Sequence, residues 1–378
     1  IHSLNQANHK TMKIRISRES LLEPLQPIAG VVEKKQTMPV LSNVLMSVDD
    51  DALTLTGTNM EVELVATLTD LDVEQSGRVT VPARKLVDIC RSLPEAVDVT
   101  LALEGDRMKI SAGASQFTLA TLPADHFPNV EDDEDSFTLN LEQREFHSLL
   151  SSTSFAMAQQ DVRYYLNGLL LEIGDDKVRA VATDGHRLAM GNLPTPTYLD
   201  TPRQIIVPRK GVQELIRLLD DSDEPVALTI GSSHIRATLG AYTFTSKLIE
   251  GRFPDYNRVI PQGGDKTVIA DRETLKSILQ RAGILSHENI RGVRLELEPG
   301  QLHVYANNPD QEQAEDTMSV DYDGEPLQIG FNVGYLIDVM NVIREDQVRI
   351  VLSGSNSSAL IESTGADDNL YVVMPMRL

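Results

Sequence analysis

Positions 183–187, Thr-Asp-Gly-His-Arg, carry the side chains in this sequence that could most readily do chemistry. An aspartate close to a histidine is the pairing of an orienting carboxylate with a general base, and a glycine between them gives the loop freedom. A hydrolytic site also needs a nucleophile and an oxyanion pocket. We find no glycine-flanked serine, no phosphate loop and no metal-spaced histidine cluster. The single cysteine, Cys90, lies on an apolar helical stripe, which favours a buried structural thiol. The sequence therefore argues against an enzyme.

An internal repeat surrounds this stretch. Residues 81–93 read VPARKLVDICRSL and residues 207–219 read VPRKGVQELIRLL, 126 positions later. Apolar residues recur in both at steps of 0, 3, 4 and 7, which is typical of one face of an amphipathic helix. A third copy of the same steps begins at Leu336, 124 positions after Val212. The spacing predicts three related units.

Each predicted unit combines helices with short alternating strands. The runs ALTLTG, RMKISAG, VALTIG and LHVYA are bounded by turn residues and predict antiparallel strands. We expect an α+β fold of three repeated domains, with antiparallel sheets on the outside and two helices each on the inside. Polar stretches at 131–136 and 260–266 indicate linkers. The predicted boundaries are a tag or disordered leader at 1–11 and domains at 12–131, 136–260 and 266–378.

The repeat weakens the catalytic interpretation of positions 183–184. They correspond to positions 58–59 and 307–308 in the sister units. All three pairs are polar and follow a predicted strand, where such side chains satisfy backbone groups locally. Residues 185–187 have no counterpart in the sister loops, which indicates that the middle unit has specialised there.

The charge balance is strongly acidic, with 56 Asp and Glu against 34 Lys and Arg and a formal net charge of −22. This opposes ordinary nucleic-acid binding, because affinity for DNA comes mainly from neutralising phosphates. Basic residues nevertheless recur on the helices of the repeat, so an interior lined by those helices would be basic. The composition suits a soluble globular protein, and no apolar run approaches the roughly 20 residues of a membrane span.

Size suggests how such units could assemble. A domain of about 120 residues is roughly 35 Å across. Three domains in a closed triangle leave almost no opening, whereas six leave one of about 35 Å, wide enough for a duplex of roughly 20 Å. A head-to-tail dimer of three-domain chains is therefore geometrically sensible, since a heterologous contact closes when the rotation permits.

The chain resembles the bacterial DNA polymerase III beta subunit family, the sliding clamps, over residues 12–378. The motifs that carry the resemblance are LTGT (55–58), VPARK (81–85), QDVRYYLNG (160–168), VATDGHRLA (181–189), IVPRKGV (206–212), FTSKL (244–248), GRFPDY (251–256), GFNV (330–333) and YVVMPMRL (371–378). The resemblance implies a homodimeric ring of six domains that encircles double-stranded DNA in the cytoplasm, with no catalysis and no cofactor. It implies as partners the DNA polymerase III catalytic subunit, the clamp loader, and other polymerases and repair proteins, and no membrane.

In this family a groove between the second and third domains accepts short hydrophobic peptide segments. The matching positions here are Leu166, Thr183, Gly185, His186, Arg187, Leu188, Pro254, Arg258, Val259, Asn332, Ser358, Val372, Val373, Met374, Pro375, Met376, Arg377 and Leu378. Methionines are flexible and polarisable, so a pocket lined by them can accept several related peptides. A tail docked purely for stability is the alternative.

The resemblance also implies contacts with DNA phosphates and a dimer seam between the first and third domains. The DNA-facing positions are Lys35, Arg84, Gln160, Arg163, Tyr164, Arg209 and Lys210. The seam positions are Arg107, Phe117, Leu119, Ile284, Leu285, Glu312 and Glu315. The sequence departs from the family pattern at Ala114 and Gln116, where relatives carry arginines. We therefore expect a seam that depends little on ionic strength, because exposed ion pairs contribute only about 0–1 kcal/mol each.

A second function class stays open from the sequence alone. Three repeats could present peptide grooves as an interaction scaffold that forms no ring and binds no DNA. Retention on circular DNA and release on linearisation distinguishes the two.

Overall fold

The structure, a computed structural model, describes residues 11–34, 37–133, 135–365 and 368–378. Within these residues the chain forms six α-helices and 25 β-strands. The helices α1 to α6 are Arg18–Val31, Ala83–Ser92, Gln143–Thr153, Arg209–Leu218, Arg272–Gly283 and Val333–Val342. No helix of the described part is long and apolar enough to cross a membrane.

The strands fall into three successive groups along the described chain. Strands β1 to β9 are Thr11–Ser17, Asn43–Asp49, Ala52–Thr58, Val62–Leu68, Asp72–Gln75, Gly77–Pro82, Asp98–Glu104, Arg107–Ala112 and Ser115–Ala120. Strands β10 to β17 are Phe137–Glu142, Gly168–Gly174, Lys177–Thr183, Arg187–Pro194, Arg203–Pro208, Pro225–Ile230, His234–Leu239 and Tyr242–Lys247. Strands β18 to β25 are Lys266–Asp271, Gly292–Glu298, Gln301–Asn307, Gln313–Ser319, Leu327–Asn332, Gln347–Leu352, Ala359–Ser363 and Leu370–Val373.

The predicted threefold repeat is confirmed by the order of these elements. Helices α2, α4 and α6 are each ten residues long and each follows a six-residue strand directly. Their first residues are separated by the 126 and 124 positions that the sequence repeat predicts. Ten of the twelve stripe residues are buried, and Ile89 and Ile216 are half-buried. Cys90 is fully buried, as predicted.

All the strands pair antiparallel into four sheets. The sheets have the orders β5-β1-β7-β8-β9, β10-β15-β16-β17-β4-β3-β2-β6, β14-β11-β12-β13-β25-β24-β23-β18 and β21-β20-β19-β22. Each eight-stranded sheet therefore joins four strands of one group to four strands of the next. The junctions are β17 with β4, where Phe244 pairs with Leu64, and β13 with β25, where Leu188 pairs with Val372.

The three groups of strands pack into two compact units. One comprises residues up to Arg144 together with Gln213–Leu248, and the other comprises Glu145–Val212 together with Ile249–Leu378. The middle group of strands is shared between them because its two halves belong to different eight-stranded sheets. Strand β1 begins at Thr11, one residue before the predicted start of the first domain. The described residues of the predicted linker at 131–136 lie outside helices and strands, whereas the last residue of the linker predicted at 260–266, Lys266, already begins β18.

The linker after the first group of strands is attached to the middle group through the side chain of Asp133. Asp133 Oδ2 accepts hydrogen bonds from the backbone N–H groups of Ser233 (3.1 Å) and His234 (3.0 Å). Burial alone would raise the pKa of Asp133, but these bonds and one from the Ser233 hydroxyl outweigh it and lower the pKa. The linker is thus anchored to the β15–β16 turn.

Candidate functional site

The loop at 183–187 begins with a polar side chain that bonds the following backbone, as its sister loops do. Asp184 Oδ1 accepts from the N–H groups of His186 (2.9 Å) and Arg187 (3.1 Å). Asn59 Oδ1 does the same for Glu61 (3.0 Å) and Val62 (2.8 Å). In the third copy, the side-chain oxygen of Asn308 accepts two backbone N–H bonds of 3.1 Å each. The prediction that these polar pairs satisfy backbone groups is confirmed.

This geometry removes the catalytic dyad. Asp184 bonds the backbone of His186 rather than its ring, and its second oxygen accepts from Arg187 Nε at 3.2 Å. The His186 ring stacks on Tyr335 instead, with centroids 6.2 Å apart and planes inclined by 22°. Across the described chain, no group of three His, Cys, Asp or Glu side chains is placed to hold a metal ion. The His186 ring is therefore placed against Tyr335 and not against the Asp184 carboxylate.

Arg187 ties the loop to neighbouring elements. Its side chain is 13% exposed and its guanidinium contacts the carboxylates of Asp184 and Asp338. Nη2 also donates to the Phe155 carbonyl at 3.1 Å, and the charge lies 4.5 Å from the centre of the Tyr335 ring. A planar guanidinium can satisfy all of these partners at once. The loop is consequently joined to α6, which carries Tyr335 and Asp338.

A small pocket of about 50 Å³ opens beside this loop. It is lined by Thr183, Gly185, Arg187, Leu188, Val259, Ser358, Val372 and Met374. All eight belong to the set expected from the sequence. Four chain segments that are distant in sequence supply them, and β13 and β25 bring two of those segments together by direct pairing. The lining is mainly apolar, with polar groups from Thr183, Arg187 and Ser358.

A hydrophobic core lies directly beneath the pocket. Leu166, Leu188 and Val372 are each 2% exposed and pack in one cluster with Phe253 and Tyr256. Leu188 and Val372 therefore form the floor of the pocket, and Leu166 belongs to the core cluster that contains them. Val373 is fully buried as well.

The segment after β17 forms a further wall. Pro254, Arg258 and Val259 are exposed there, and the pair Arg258–Asp255 lies at the surface. Tyr256 anchors the segment, because its hydroxyl contacts Glu172 and accepts from Arg179 Nη1 at 3.0 Å. Burial and the adjacent Glu172 raise the pKa of Tyr256, which keeps its hydroxyl protonated as a donor.

The remaining expected groove residues have other surroundings. Asn332 caps α6, because its side-chain oxygen accepts from the N–H groups of Gly334 (2.8 Å) and Tyr335 (3.3 Å). The tail runs on from β25 past Met374 and Pro375. Its last three residues, Met376, Arg377 and Leu378, reach β22, where Met376 forms an isolated bridge with Gly330. The structure thus brings the first part of the tail to the pocket and the last part to a different sheet.

Two of the described residues expected at DNA also bond neighbouring backbone. Lys35 lies outside the described residues. Arg84 Nη2 donates to the Val32 carbonyl (3.1 Å) and Arg209 Nη1 to the Met157 carbonyl (3.3 Å), so each ties the start of its helix to a neighbouring segment. Lys210, next to Arg209, is half-buried.

Arg163 contacts both Asp161 and the loop at 183–187, and its side chain is 47% exposed. Its guanidinium donates two hydrogen bonds to the Asp161 carboxylate, of 3.0 and 2.9 Å. Nη2 also donates to the Asp184 carbonyl at 3.4 Å, and the guanidinium fills the space beside Gly185. The bonds from Arg163 lower the pKa of Asp161 to about 2. Gln160 and Tyr164 of the same loop are exposed, and Gln160 has a φ of +56°.

The expected seam residues lie on or near two strand edges. Strand β9, with Phe117 and Leu119, ends one sheet, and strand β21, with Glu315, ends another. Ile284 is 75% exposed, whereas Leu119 is 8% exposed and belongs to the core of its own sheet. Arg107, Glu312 and Glu315 are exposed, and Leu285 and Phe117 are half-buried.

Sequence reasoning missed the residues that hold the loop. Phe155, Tyr335 and Asp338 surround Arg187, although no motif marked them. The spacing of Tyr335 and Asp338, three positions apart on a helix, places both on one face and is the one signal that could have indicated them.

Three family models match consecutive parts of the chain. The DNA polymerase III beta subunit N-terminal domain matches residues 12–131, the central domain residues 140–255 and the C-terminal domain residues 257–377.

Curated relatives and solved structures agree over nearly the whole length. The beta sliding clamps of Pseudomonas putida and Escherichia coli K12 are 55% and 48% identical over 97% of this chain and 100% of theirs. A crystal structure of the DNA polymerase III subunit beta from Pseudomonas aeruginosa is 54% identical with a TM-score of 0.95, covering 97% of this chain and all of that one. A second, of that organism's sliding clamp bound to griselimycin, has a TM-score of 0.93 at the same identity and coverage. On these matches of sequence, domain order and fold, the chain belongs to the DNA polymerase III beta subunit family, the beta sliding clamps.

Proposed function

We propose that this protein is a DNA sliding clamp: two chains close into a ring around double-stranded DNA and tether the replicative polymerase through the pocket beside Arg187. Its partners are a second copy of itself, the DNA polymerase III catalytic subunit, the clamp loader, and other polymerases and repair proteins. It is a processivity factor and not an enzyme. We place its action in the cytoplasm, where bacterial DNA is replicated.

The single observation that carries the ring is the order of strands in the four sheets. Strand β17 of the middle group pairs with β4 of the first, and β25 of the third group pairs with β13 of the middle. In the threefold repeat, β9 of the first group occupies the position of β17 in the middle group and β25 in the third. Likewise, β21 of the third group occupies the position of β4 in the first group and β13 in the middle. Strands β9 and β21 are at sheet ends. The next step of the same pattern pairs β9 of one chain with β21 of its partner.

That pairing would satisfy two edges that otherwise expose backbone donors and acceptors. It is a heterologous contact, so it forms a closed ring only if the rotation between chains closes after two copies. Phe117 lies on β9, and Ile284 is a large exposed apolar side chain in the third group. These support an apolar seam, consistent with the absence of arginine at Ala114 and Gln116.

Client binding rests on the pocket at the loop 183–187. Its eight lining residues combine an apolar floor with Met374, which is 44% exposed and carries a flexible, polarisable side chain. The griselimycin complex of the Pseudomonas aeruginosa clamp supports a ligand site in a protein of this fold.

Topology, rather than tight contact, would keep the ring on DNA. With a net charge of −22, direct phosphate contacts from Arg84, Arg209, Lys210, Gln160 and Tyr164 would be few and screened. We expect binding to linear DNA with free ends to be weak and to vanish with added salt.

The test is loading onto nicked circular DNA with the clamp loader and ATP, followed by gel filtration. The clamp should remain with the circle and leave when a restriction enzyme linearises it. Failure to be retained would favour the ring-free peptide scaffold, and salt-resistant binding to linear DNA would contradict sliding. In the same assay His186→Ala should load normally but stimulate the polymerase less, whereas loss of a hydrolytic activity would favour an enzyme.

A further inference from the structure

Two neighbouring strands of the third group carry glycine at diagonally adjacent positions on the same face of their sheet. Gly330 lies in β22 and Gly292 in β19, and the strands pair with Gly292 opposite Asn332. Their chain neighbours Ile329, Phe331 and Val293 are at most 2% exposed and face the core. Because side chains alternate along a strand, both glycines face away from the core. That face of the sheet is therefore bare at this place.

The end of the chain fills the bare strip. The Met376 N–H donates to the Gly330 carbonyl at 2.9 Å. A Cβ at Gly330 would lie 2.6 Å from the Met376 carbonyl oxygen and 2.9 Å from Leu378 Cγ. A Cβ at Gly292 would collide with Leu378 Cδ2 and lie 3.5 Å from Met376 Sδ. Neither glycine has a positive φ, so space rather than backbone conformation requires glycine here.

The tail is consequently held on both sides of Met374. Before it, Val372 and Val373 lie in β25, between β13 and β24, and the Met374 N–H donates to the His186 carbonyl at 3.0 Å. After it, Met376 is fixed on β22. Met374 and Pro375 span the gap between these attachments, and the Met374 side chain lines the pocket.

We propose that Gly330 and Gly292 are positioning residues for peptide binding: they form a seat for the last three residues, which fixes Met374 as a wall of the pocket. The inference rests on the proposed function of the pocket. It also assigns a role to the glycine of the GFNV motif, which lies outside the pocket lining. If the last three residues were not held on β22, the chain would be attached only on the β25 side of Met374. The Met374 side chain would then be a mobile rather than an ordered part of the pocket lining.

The first experiment compares Gly330→Ala, Gly292→Ala and wild type, with Gly30→Ala as control. Gly30 lies in α1 without a positive φ, and a Cβ there meets nothing closer than 3.9 Å. Hydrogen exchange of the Met376 amide reports the seat directly, and calorimetric titration with griselimycin reports the pocket. We expect Gly330→Ala to speed the exchange and to weaken griselimycin binding about tenfold. Gly292→Ala should do less, because Leu378 is 66% exposed and can move, and Gly30→Ala should change neither.

A second experiment separates positioning from a general effect on the sheet. In a chain that ends at Pro375 the seat has no occupant, so griselimycin should bind more weakly and Gly330→Ala should add less than about twofold. An equal loss in the full and shortened chains would overturn the inference, as would faster Met376 exchange with unchanged griselimycin affinity. If the wild type does not bind griselimycin although Met376 is protected, the proposed function of the pocket fails while the seat stands.

Discussion

At the scale of single residues, Arg187 holds most of the candidate groove in place. It joins the loop that carries Thr183 and Gly185 to α6 through Asp338, and its side chain is largely buried. Removing one partner of such a pair leaves carboxylates without their counter-charge, which is costly at a buried site.

We expect Arg187→Ala to lower the free energy of unfolding by about 2–3 kcal/mol and to weaken client-peptide binding. Arg187→Lys should recover little, because an ammonium cannot reach two carboxylates and a carbonyl together. Arg144→Ala is the matched control for stability, since Arg144 pairs with Asp221 and Asp223 at the surface and should cost at most about 1 kcal/mol. Urea unfolding measures both variants, and equal losses would contradict a special role for Arg187.

The Asp161–Arg163 pair allows a pH test at the same scale. The bonds from Arg163 lower the pKa of Asp161 to about 2. Because the pKa of Asp161 is lowered in the folded chain, the ionised carboxylate stabilises the loop at pH values above its ordinary, unfolded-state pKa. This contribution is lost as the pH falls toward the folded-state pKa. Carboxyl NMR should show Asp161 titrating near pH 2 in the wild type and at higher pH in Arg163→Ala.

Arg281→Ala is the matched control for that titration. Arg281 Nε bonds Asp316 at 2.6 Å and lowers the pKa of that carboxyl. The variant should raise the pKa of Asp316 and leave Asp161 unchanged. An Asp161 titration that does not respond to Arg163→Ala would show that Arg163 is not its partner in solution.

At the scale of elements, the buried face of α2 makes Cys90 inert. Burial raises the pKa of its thiol to about 11, so at pH 8 only about one thiol in a thousand is ionised. Iodoacetamide should not label the native protein at that pH and should label it fully in concentrated urea. The chain has one cysteine, so mass spectrometry reports this site alone. Rapid labelling of the native protein would mean that α2 opens easily.

At the scale of the whole molecule, the proposed assembly depends on an apolar seam. Ile284→Asp should convert the dimer to a single chain of 41.7 kDa in sedimentation, because it places a charge in the contact. Tyr198→Asp is the matched control, since Tyr198 is 92% exposed and lies outside the seam. The wild-type dimer should persist in about 0.5 M salt, where surface ion pairs are screened. Dissociation there, or a dimer unaffected by Ile284→Asp, would refute this seam.

The sequence by itself determined the threefold repeat, the helices and the polar turns. These follow from local periodicity and local hydrogen bonds: the stripe beginning at Leu86 predicts α2, and Asp184 bonds the backbone two and three residues on. The groove residues came from motifs and resemblance, and the structure brings eight of them to one pocket.

Only the tertiary structure decided how strands of successive groups join into shared sheets and what surrounds Arg187. Pairing of β13 with β25 links residues almost two hundred positions apart, and no local pattern encodes such a register. The contacts of Arg187 with Tyr335 and Asp338, of Arg163 with the loop at 183–187, and of Met376 with Gly330 likewise join residues that are far apart in sequence. Contacts of this kind depend on how the sheets pack against each other. That packing exists only in the folded chain and leaves no local pattern in the sequence.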